Sequence, residues 1–294
     1  MNRLAGPAGG HLAMLCFSAL VAGSFALGGM IANEISPTAL AAVRFWFAAG
    51  CIAVLAAGRG GIPPGTFRAP WRYLLLGGVF AIYFVLMFEG LKTAPPVSTS
   101  AVFTLTPLMS AGFGFLLLGQ ALTRRMALAL VIGALGALWV IFRADLAALL
   151  RFEVGRGEAI FFLGCVAHAL YTPLVRRLNR GESPLVFPIG TFIGGGLVLT
   201  TWGWRDILAT DWTGLPAIVW GVLAYLAIAA SALTLILLQT ATMRLPSAKV
   251  MAYTYLVPAW VILWEVGLGN PAPAPLVAVG VALTALALVL LLKD

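Results

Sequence analysis

Charged side chains are scarce in this sequence, and that scarcity excludes most kinds of soluble protein. Asp, Glu, Lys and Arg make up 10% of the 294 residues, whereas a soluble protein has roughly 25%. Hydrophobic residues make up 62%. A soluble monomer keeps its exposed apolar patches to about a few hundred Å², and a chain of this length could not hide so much apolar surface from water. The composition therefore predicts a protein for which lipid is the solvent.

Signatures of catalysis and of metal binding are also missing. The sequence contains no H-E-x-x-H, Walker A or G-x-S-x-G motif, which are marks of enzymes and of ATP-driven pumps. Its three cysteines lie singly inside apolar runs without C-x-x-C spacing, which is typical of small packing residues. We therefore expect no enzymatic activity, no cofactor and no bound metal.

Ten apolar runs divide the chain, and each is long enough for a transmembrane helix of roughly 17–25 residues. The runs are His11–Ile31, Pro37–Ala57, Trp71–Leu91, Val97–Leu118, Met126–Phe142, Gly157–Leu178, Leu185–Trp204, Leu215–Thr240, Ser247–Leu268 and Pro273–Leu292. A barrel strand would have only about ten residues of alternating polarity. The first run is long enough to span, so we interpret it as a helix and not as a cleavable signal peptide.

The Lys and Arg residues predict the orientation, because cytoplasmic loops carry an excess of both. With the N-terminus in the cytoplasm, 12 of the 18 basic residues fall on the cytoplasmic side and five on the outer side, and Arg44 lies within the second span. We therefore expect both termini to be cytoplasmic. The basic residues lie between apolar runs and not in one patch, so we expect membrane lipid and no nucleic acid as a partner.

The two halves of the chain resemble each other around a pair of prolines. A shift of 151 residues aligns Pro95 with Pro246 and Pro107 with Pro258. Five spans in each half is an odd number, so the second half would enter the membrane from the opposite side. The pattern predicts an all-α integral membrane protein, in which residues 1–146 and 147–294 form two inverted repeats around a central cavity, as in many secondary transporters.

Pro107 and Pro258 lie inside predicted spans, where a proline removes one backbone hydrogen bond and kinks the helix. The freed carbonyl needs a partner, which in a helix bundle can be a side chain, water or a solute. A static packing kink is the alternative. Because the position is paired in the two halves, we expect both helices to line a central path and to take part in gating.

Arg44 lies about eight residues into the second span, roughly 12 Å below the outer surface at 1.5 Å per residue. A charge at that depth is costly unless it is paired or hydrated. Glu89 and Glu265 lie at the outer ends of the third and ninth spans, where the long Arg44 side chain can extend towards them. We expect Arg44 to pair with one of the two acids, either as a structural ion pair or as an outer gate linked to proton movement.

His168 lies near the middle of the sixth span, and other polar or aromatic side chains fall near the same depth. They are Ser24, Tyr83, Ser100, Thr104, Tyr171, Ser231 and Tyr253. Ser and Thr often bond their own helix backbone, and a single histidine can be a hydrogen-bonded packing residue. Together, however, these groups could form the small polar set of a mostly apolar binding site for a small molecule. A histidine, which titrates near neutral pH, would also suit proton coupling.

Three motifs resemble those of the drug/metabolite transporter superfamily. They are Ser36-Pro37 with Arg44-Phe45, Leu105-Thr106-Pro107 and Leu256-Val257-Pro258. The likeness covers nearly the whole chain and points to ten-helix exporters with two EamA-type repeats, most of all to YddG-type aromatic amino acid exporters. Family members often carry an acidic residue after the fourth helix, where this chain has Gln120.

The resemblance implies a bacterial inner-membrane exporter that moves aromatic and other neutral amino acids by alternating access. Its cavity would be lined by the first, third, fourth, sixth, eighth and ninth spans. Three other functions remain open: export of lipophilic cations, with Glu89 or Glu265 as the counter-ion, a channel, or a membrane enzyme. Saturable exchange without product formation would separate a carrier from the last two.

The predicted orientation can be tested in the loop between the sixth and seventh spans. Single cysteines placed between Arg176 and Glu182, in a chain without its native cysteines, should resist an impermeant thiol reagent in intact cells because that loop faces the cytoplasm. The same cysteines should react after the cells are permeabilised, and cysteines within 271–275 should react in intact cells. Ready labelling of the first set in intact cells would invert the topology.

Overall fold

The computed structural model describes residues 7–151 and 153–292, and all regular structure within these ranges is helical. Eight helical stretches are long and apolar enough to cross a membrane. They are Pro7–Ile31, Pro37–Ala57, Trp71–Leu91, Pro96–Leu118, Arg124–Ile141, Arg156–Leu178, Ala217–Thr242 and Ser247–Gly267. A multi-pass membrane protein is thereby confirmed.

Two further apolar helices, Phe187–Trp202 and Val277–Leu292, have 16 residues each. At 1.5 Å per residue they are about 24 Å long, which is shorter than the roughly 30 Å hydrocarbon layer. The count of ten spans therefore stays a prediction. The two chain ends, which we expect in the cytoplasm, lie outside the described residues.

Long apolar helices alternate with short ones along the chain. In order they are α1 (Pro7–Ile31), α2 (Pro37–Ala57), α3 (Trp71–Leu91), α4 (Pro96–Phe103), α5 (Thr106–Leu118), α6 (Arg124–Ile141), α7 (Leu146–Arg151), α8 (Arg156–Leu178), α9 (Phe187–Trp202), α10 (Trp204–Ala209), α11 (Ala217–Ala227), α12 (Thr234–Thr242), α13 (Ser247–Ala252), α14 (Val257–Gly267) and α15 (Val277–Leu292). A π-helical segment, Ile228–Leu233, joins α11 to α12, and a 3₁₀ turn, Tyr253–Leu256, joins α13 to α14. The bounds of α2 and α3 are those that the apolar runs predict, whereas α7 and α10 lie in connections and were not predicted.

The two predicted spans that contain the paired prolines Pro107 and Pro258 are interrupted, not merely bent. The fourth predicted span divides into α4 and α5, and Pro107 is the second residue of α5. The ninth divides into α13 and α14, and Pro258 is the second residue of α14. A proline is tolerated in the first turn of a helix, because the N–H that it lacks would have no partner within the helix there. Each predicted kink is therefore a restart of the helix.

Elements from the two halves of the chain interleave. The half-helix α4 packs on α14, α5 packs on α13, and α6 packs on α15. In the same way α3 packs on α8 and α9, and α1 packs on α12 and α14. The middle of the bundle is therefore built by both halves together.

Gln120 ties the end of α5 to the start of α13. The Oε1 atom of Gln120 accepts a hydrogen bond from the backbone N–H of Ser247 at 3.1 Å. Gly119, between α5 and Gln120, has a φ of +65°, which is the left-handed conformation that glycine adopts readily and that commonly ends a helix. The Gln120 amide therefore satisfies a backbone donor at the start of a helix, where acids are also favourable.

Arg72 and Glu182 fasten α3 to the loop between α8 and α9. The Nη2 atom of Arg72 donates to Oε1 of Glu182 at 2.7 Å, and its Nη1 atom donates to the carbonyl oxygen of Leu178 at 2.6 Å. Partial burial raises the pKa of Glu182, but hydrogen bonds from Arg72 and from the backbone N–H of Arg180 outweigh it, so the pKa lies below the ordinary value. The pair therefore stays ionised near neutral pH.

Glycines allow α3 and α9 to approach each other closely. A Cβ atom on Gly194 would lie 2.2 Å from the carbonyl oxygen of Tyr73, and one on Gly190 would lie 2.4 Å from the Tyr73 ring. A Cβ on Gly77 would lie 2.1 Å from the backbone nitrogen of Gly195. Small residues at four-residue spacing, here Gly190 and Gly194, therefore allow the close helix packing that is common in membrane proteins.

Neighbouring glycines on α3 provide a matched test of this packing. Gly77→Ala should destabilise the protein by about 1–3 kcal/mol, because the new methyl group meets backbone that cannot move aside. Gly78→Ala should be neutral or stabilising by up to about 1 kcal/mol, because alanine favours helix and the new methyl would lie 3.9 Å from Val198. Thermal unfolding of the purified protein in detergent would measure both. Equal melting temperatures for the two variants would contradict the described contact.

The contact between Gln120 and Ser247 makes a second prediction about stability. Gln120→Leu should lower stability by about 1 kcal/mol, because it leaves the Ser247 N–H without its cap. Gln120→Glu should preserve stability or raise it by about 0.3–1 kcal/mol, because it keeps an acceptor and adds a negative charge at a helix N-terminus. Melting temperatures in detergent at pH 7 would separate the two variants. If leucine and glutamate have the same effect, the hydrogen bond contributes nothing.

Candidate functional site

His168, in the middle of α8, is buried among four other aromatic rings. Its ring centroid lies 4.4 Å from Tyr83, 5.2 Å from Phe103, 5.9 Å from Phe80 and 6.4 Å from Tyr171. We call these five residues the aromatic cluster. They come from α3, α4 and α8, so both halves of the chain contribute.

Local helix geometry explains why these rings meet. Phe80 and Tyr83 are three residues apart on α3, and His168 and Tyr171 are three residues apart on α8, so each pair shares a helix face. The two helices pack along each other, and Phe80 stacks on Tyr171 with ring centroids 4.7 Å apart. Phe103 is the last residue of α4, so it reaches the cluster from the point where the fourth span is interrupted.

Buried polar atoms around the cluster lack hydrogen-bond partners among the described residues. They include Nδ1 of His168 and Oε1 of Gln239, and Oγ of Ser24 on α1 is likewise buried and unpaired. The amide nitrogen of Gln239 donates to the hydroxyl oxygen of Tyr171 at 3.0 Å, which leaves only its Oε1 acceptor free. Most buried polar atoms in proteins are paired, so each of these atoms keeps the capacity to form a hydrogen bond with a water or with a polar group of a bound molecule.

Arg44 on α2 is fully buried and is directed at the π-helical segment. Its Nε atom donates to Oγ of Ser231, and its Nη2 atom donates to the carbonyl oxygen of Ala230 at 2.8 Å. The guanidinium lies 3.8 Å from the ring centroid of Phe84 and 5.8 Å from that of Phe88. Its remaining nitrogen, Nη1, has no hydrogen-bond partner in the described part of the chain. The result is a buried cation that is only partly satisfied.

The predicted ion pair between Arg44 and Glu89 or Glu265 is wrong. Nζ of Lys92 binds Glu89 at 2.8 Å, and the side-chain amide of Asn270 donates to Glu265 at 2.9 Å. Sequence position predicts how far along a helix a residue lies but not the direction of its side chain. Each acid is bound by a residue three to five positions along its own chain segment, while Arg44 binds a carbonyl in the widened backbone of the π segment.

Arg44 and the aromatic cluster are contiguous. Phe84, on which the guanidinium lies, has its ring centroid 4.8 Å from both Phe80 and Tyr83. One ring therefore separates the buried cation from the cluster. The arrangement offers a positive charge at one end and stacked aromatic faces at the other.

The remaining predicted site residues lie elsewhere or are already bonded. The hydroxyl of Ser100 donates to the carbonyl of Val97 at 2.7 Å, and that of Thr104 donates to the carbonyl of Ala101 at 2.6 Å, both on their own helix. The Tyr253 hydroxyl is 3.1 Å from Nδ1 of His11 on α1. No ring contact joins Tyr253 to the aromatic cluster among the described residues.

Several residues of this region were not singled out in the sequence. Phe80, Phe84 and Phe103 belong to apolar runs in which a phenylalanine carries no signal of its own, although Phe80 lies three residues before Tyr83 and four before Phe84. Glu158 was missed as well. It is buried in the first turn of α8 and accepts a hydrogen bond from Oγ of Ser98 on α4 at 2.7 Å.

Comparisons with known proteins agree with this architecture. A sequence model of the EamA-like transporter family matches two stretches, residues 8–142 and 155–293. The chain is 27% identical over 264 residues to YyaM of Bacillus subtilis (strain 168), described as an uncharacterized transporter, and the likeness covers 89% of this chain and 86% of that one.

A solved structure described only as the crystal structure of a protein has the same fold. It superimposes with a TM-score of 0.74 over 96% of each chain, at 21% sequence identity. The two family matches cover most of the sequence. The chain therefore belongs to the EamA-like transporter family and is a membrane transporter, not an enzyme.

Proposed function

We propose that this transporter exports amino acids with apolar, and preferably aromatic, side chains. One observation carries the proposal: the fully buried Arg44 guanidinium has no carboxylate partner among the described residues and lies one ring away from the aromatic cluster. A transported molecule that combines a carboxylate with an aromatic ring complements both features.

The charge of Arg44 selects the class of transported molecule. A charged side chain deep in a membrane protein is costly, and an anion that binds it offsets part of that cost. Hydrogen bonds to a charged group contribute about 1.5–3 kcal/mol each. A carboxylate that reaches Nη1 would satisfy the guanidinium, whereas a lipophilic cation would be repelled by it. The site thus favours amino acids over the lipophilic cations that the sequence left open.

The aromatic cluster suits the side chain of such an amino acid. Aromatic pairs contribute about 0.5–1.5 kcal/mol beyond the burial of their area. An aromatic or large aliphatic side chain would lie against Tyr83, Phe103 and His168. The unpaired Oε1 of Gln239 and Nδ1 of His168 would accept hydrogen bonds from the ammonium group, directly or through water. This assignment gives Ser24 and Tyr171 supporting roles at the edge of the same site.

Transport would proceed by alternating access between two inverted repeats, residues 1–146 and 147–294, with ten membrane helices and both termini in the cytoplasm of a bacterial cell. The two separate family matches and the reciprocal packing of α4 on α14 and of α5 on α13 support this arrangement. A symmetric pair of interrupted helices near the middle of the membrane is typical of secondary transporters. The restarts at Pro107 and Pro258 would act as the moving joints.

Arg44 variants test the proposal in proteoliposomes. Arg44→Met should reduce saturable counterflow of L-phenylalanine at least about ten-fold, the loss expected for one hydrogen bond to a charged group. The same variant should melt at an unchanged or higher temperature, because methionine removes a buried charge that has no carboxylate partner among the described residues. Phenethylamine, which has no carboxylate, should compete weakly with L-phenylalanine in the parent protein.

Arg151→Met, at an exposed position on α7, is the control and should transport like the parent. Parent-like flux in Arg44→Met would contradict the assigned role of Arg44. Strong competition by phenethylamine would contradict the carboxylate requirement. Uptake of tetraphenylphosphonium without any amino acid flux would show that the protein exports lipophilic cations and not amino acids.

A further inference from the structure

A recess of about 520 Å³ opens at the face that the predicted topology places outside the cell. It lies between the α3–α4 connection, the end of α6 and the loop that follows α14. Its lining includes Arg143, Glu265, Asn270 and Ser98, and the remaining walls are apolar, with Val140 and several prolines. We call it the outer recess. Its volume falls within the roughly 300–1,000 Å³ that is common for small-molecule sites.

Arg143 and Glu265 give the outer recess one charge of each sign. They line the same cavity, yet they form no ion pair with each other within the described ranges. Glu265 accepts a hydrogen bond only from Asn270, at 2.9 Å, and no hydrogen bond to the Arg143 side chain is present among the described residues. Because Arg143 and Glu265 share a cavity without pairing, both charges can bind a third group.

The backbone at Arg143 has an unusual conformation. Arg143 and Ala144 have φ angles of +55° and +62°, a left-handed conformation that non-glycine residues seldom adopt. Backbone hydrogen bonds hold this turn: the N–H of Arg143 donates to Val140 at 3.0 Å, and that of Ala144 donates to Trp139 at 2.9 Å. Such strain persists only where surrounding contacts enforce it, and it is concentrated at functional positions.

Arg143 also lines a second, smaller recess of about 280 Å³, together with Glu158. The hydrogen bond between Ser98 and Glu158 lies at the boundary, because Ser98 lines the outer recess and Glu158 lines the smaller one. The first turn of α4 therefore forms part of the wall. Movement of α4 during transport would change the shape of the outer recess.

We propose that the outer recess is a second amino acid site, in which Arg143 binds the carboxylate and Glu265 binds the ammonium group of the leaving molecule. The assignment rests on the proposed function and names the place at which the transported amino acid pauses on the outer face. The apolar walls at Val140, Val277 and Pro273 contact its side chain. Only a zwitterion satisfies both charges at once, so a lipophilic cation or a simple carboxylate binds less well.

Another recess on the same face provides a comparison. It has a volume of about 420 Å³ and is lined by Glu34, Asp206 and Asp211, with no basic residue among its described lining residues. A cavity with acids alone does not complement a zwitterion. The combination of base, acid and apolar wall distinguishes the outer recess from this one.

Membrane vesicles of both orientations test the proposal. Right-side-out vesicles present the outer face to added L-phenylalanine, and everted vesicles present the cytoplasmic face. Arg143→Gln and Glu265→Gln should each raise the half-saturating concentration of exchange about ten-fold at the outer face. Both variants should stay within about two-fold of the parent at the cytoplasmic face, because the recess is not on that side.

Two analogues separate the charges. In right-side-out vesicles, Arg143→Gln should weaken inhibition by 3-phenylpropionate, which lacks the ammonium group, and leave inhibition by phenethylamine unchanged. Glu265→Gln should weaken inhibition by phenethylamine and leave inhibition by 3-phenylpropionate unchanged. The controls Arg205→Gln and Glu34→Gln remove the same charges elsewhere on the same face and should behave like the parent at both faces.

The outcomes distinguish this inference from the function on which it rests. A parent protein without saturable amino acid exchange would contradict both. A parent that exchanges L-phenylalanine, with Arg143→Gln and Glu265→Gln indistinguishable from it at the outer face, would overturn the outer recess alone. Equal losses at both faces would also overturn it, because they would show a general effect on the carrier.

Discussion

A buried guanidinium with no carboxylate partner in the described part of the chain is the constraint on which the candidate site depends. Arg44 is held by Ser231, by the carbonyl of Ala230 and by the face of Phe84. A cation over an aromatic face gains about 0.5–2 kcal/mol, and the two hydrogen bonds add more, yet Nη1 stays unpaired. The π segment helps to bind Arg44, because its widened turn leaves the Ala230 carbonyl accessible to a side chain. Such segments are frequent at functional sites. In the proposed function, this residual positive charge would favour a transported molecule that carries a carboxylate.

The interrupted helices connect this site to movement. Phe103 belongs to the aromatic cluster and is also the last residue of α4, next to the break that precedes Pro107. A shift of α4 relative to α5 would therefore change the site directly. The starts of the two short half-helices are each held by a polar side chain from the other half of the chain. Ser98 on α4 binds Glu158, and the N–H of Ser247 on α13 binds Gln120. If one contact were released while the other was kept, one half-helix could move and the transporter would open to one side of the membrane at a time.

Much of the fold could be predicted from the sequence, because lipid imposes strong rules on length and composition. Apolar runs predicted α2 and α3 to the residue, and the paired prolines predicted where the fourth and ninth spans are interrupted. Small residues at four-residue spacing on α9 favour close packing against a neighbouring helix, which the structure identifies as α3. These features depend on the backbone alone or on residue size, and both can be read along a single chain.

The facing of side chains could not be predicted in the same way. In lipid, a helix is apolar on every side, so the pattern that orients a helix in a soluble protein is weak. Arg44 was expected to reach an acid, while its partners are the Ser231 hydroxyl and a backbone carbonyl in the π segment. That segment, Ile228–Leu233, carries no proline or glycine to announce it. The phenylalanines of the site and the buried Glu158 were missed because only the packing of α3, α4 and α8 gives them a role.

A structure of the purified protein with L-phenylalanine bound tests the central claim most directly. The carboxylate should lie about 2.7–2.9 Å from Nη1 of Arg44, the usual length of a charge-assisted hydrogen bond, and the phenyl ring should lie against Tyr83, Phe103 and His168. A bound amino acid whose carboxylate lies away from Arg44, while a protein carboxylate pairs with that guanidinium, would contradict the claim.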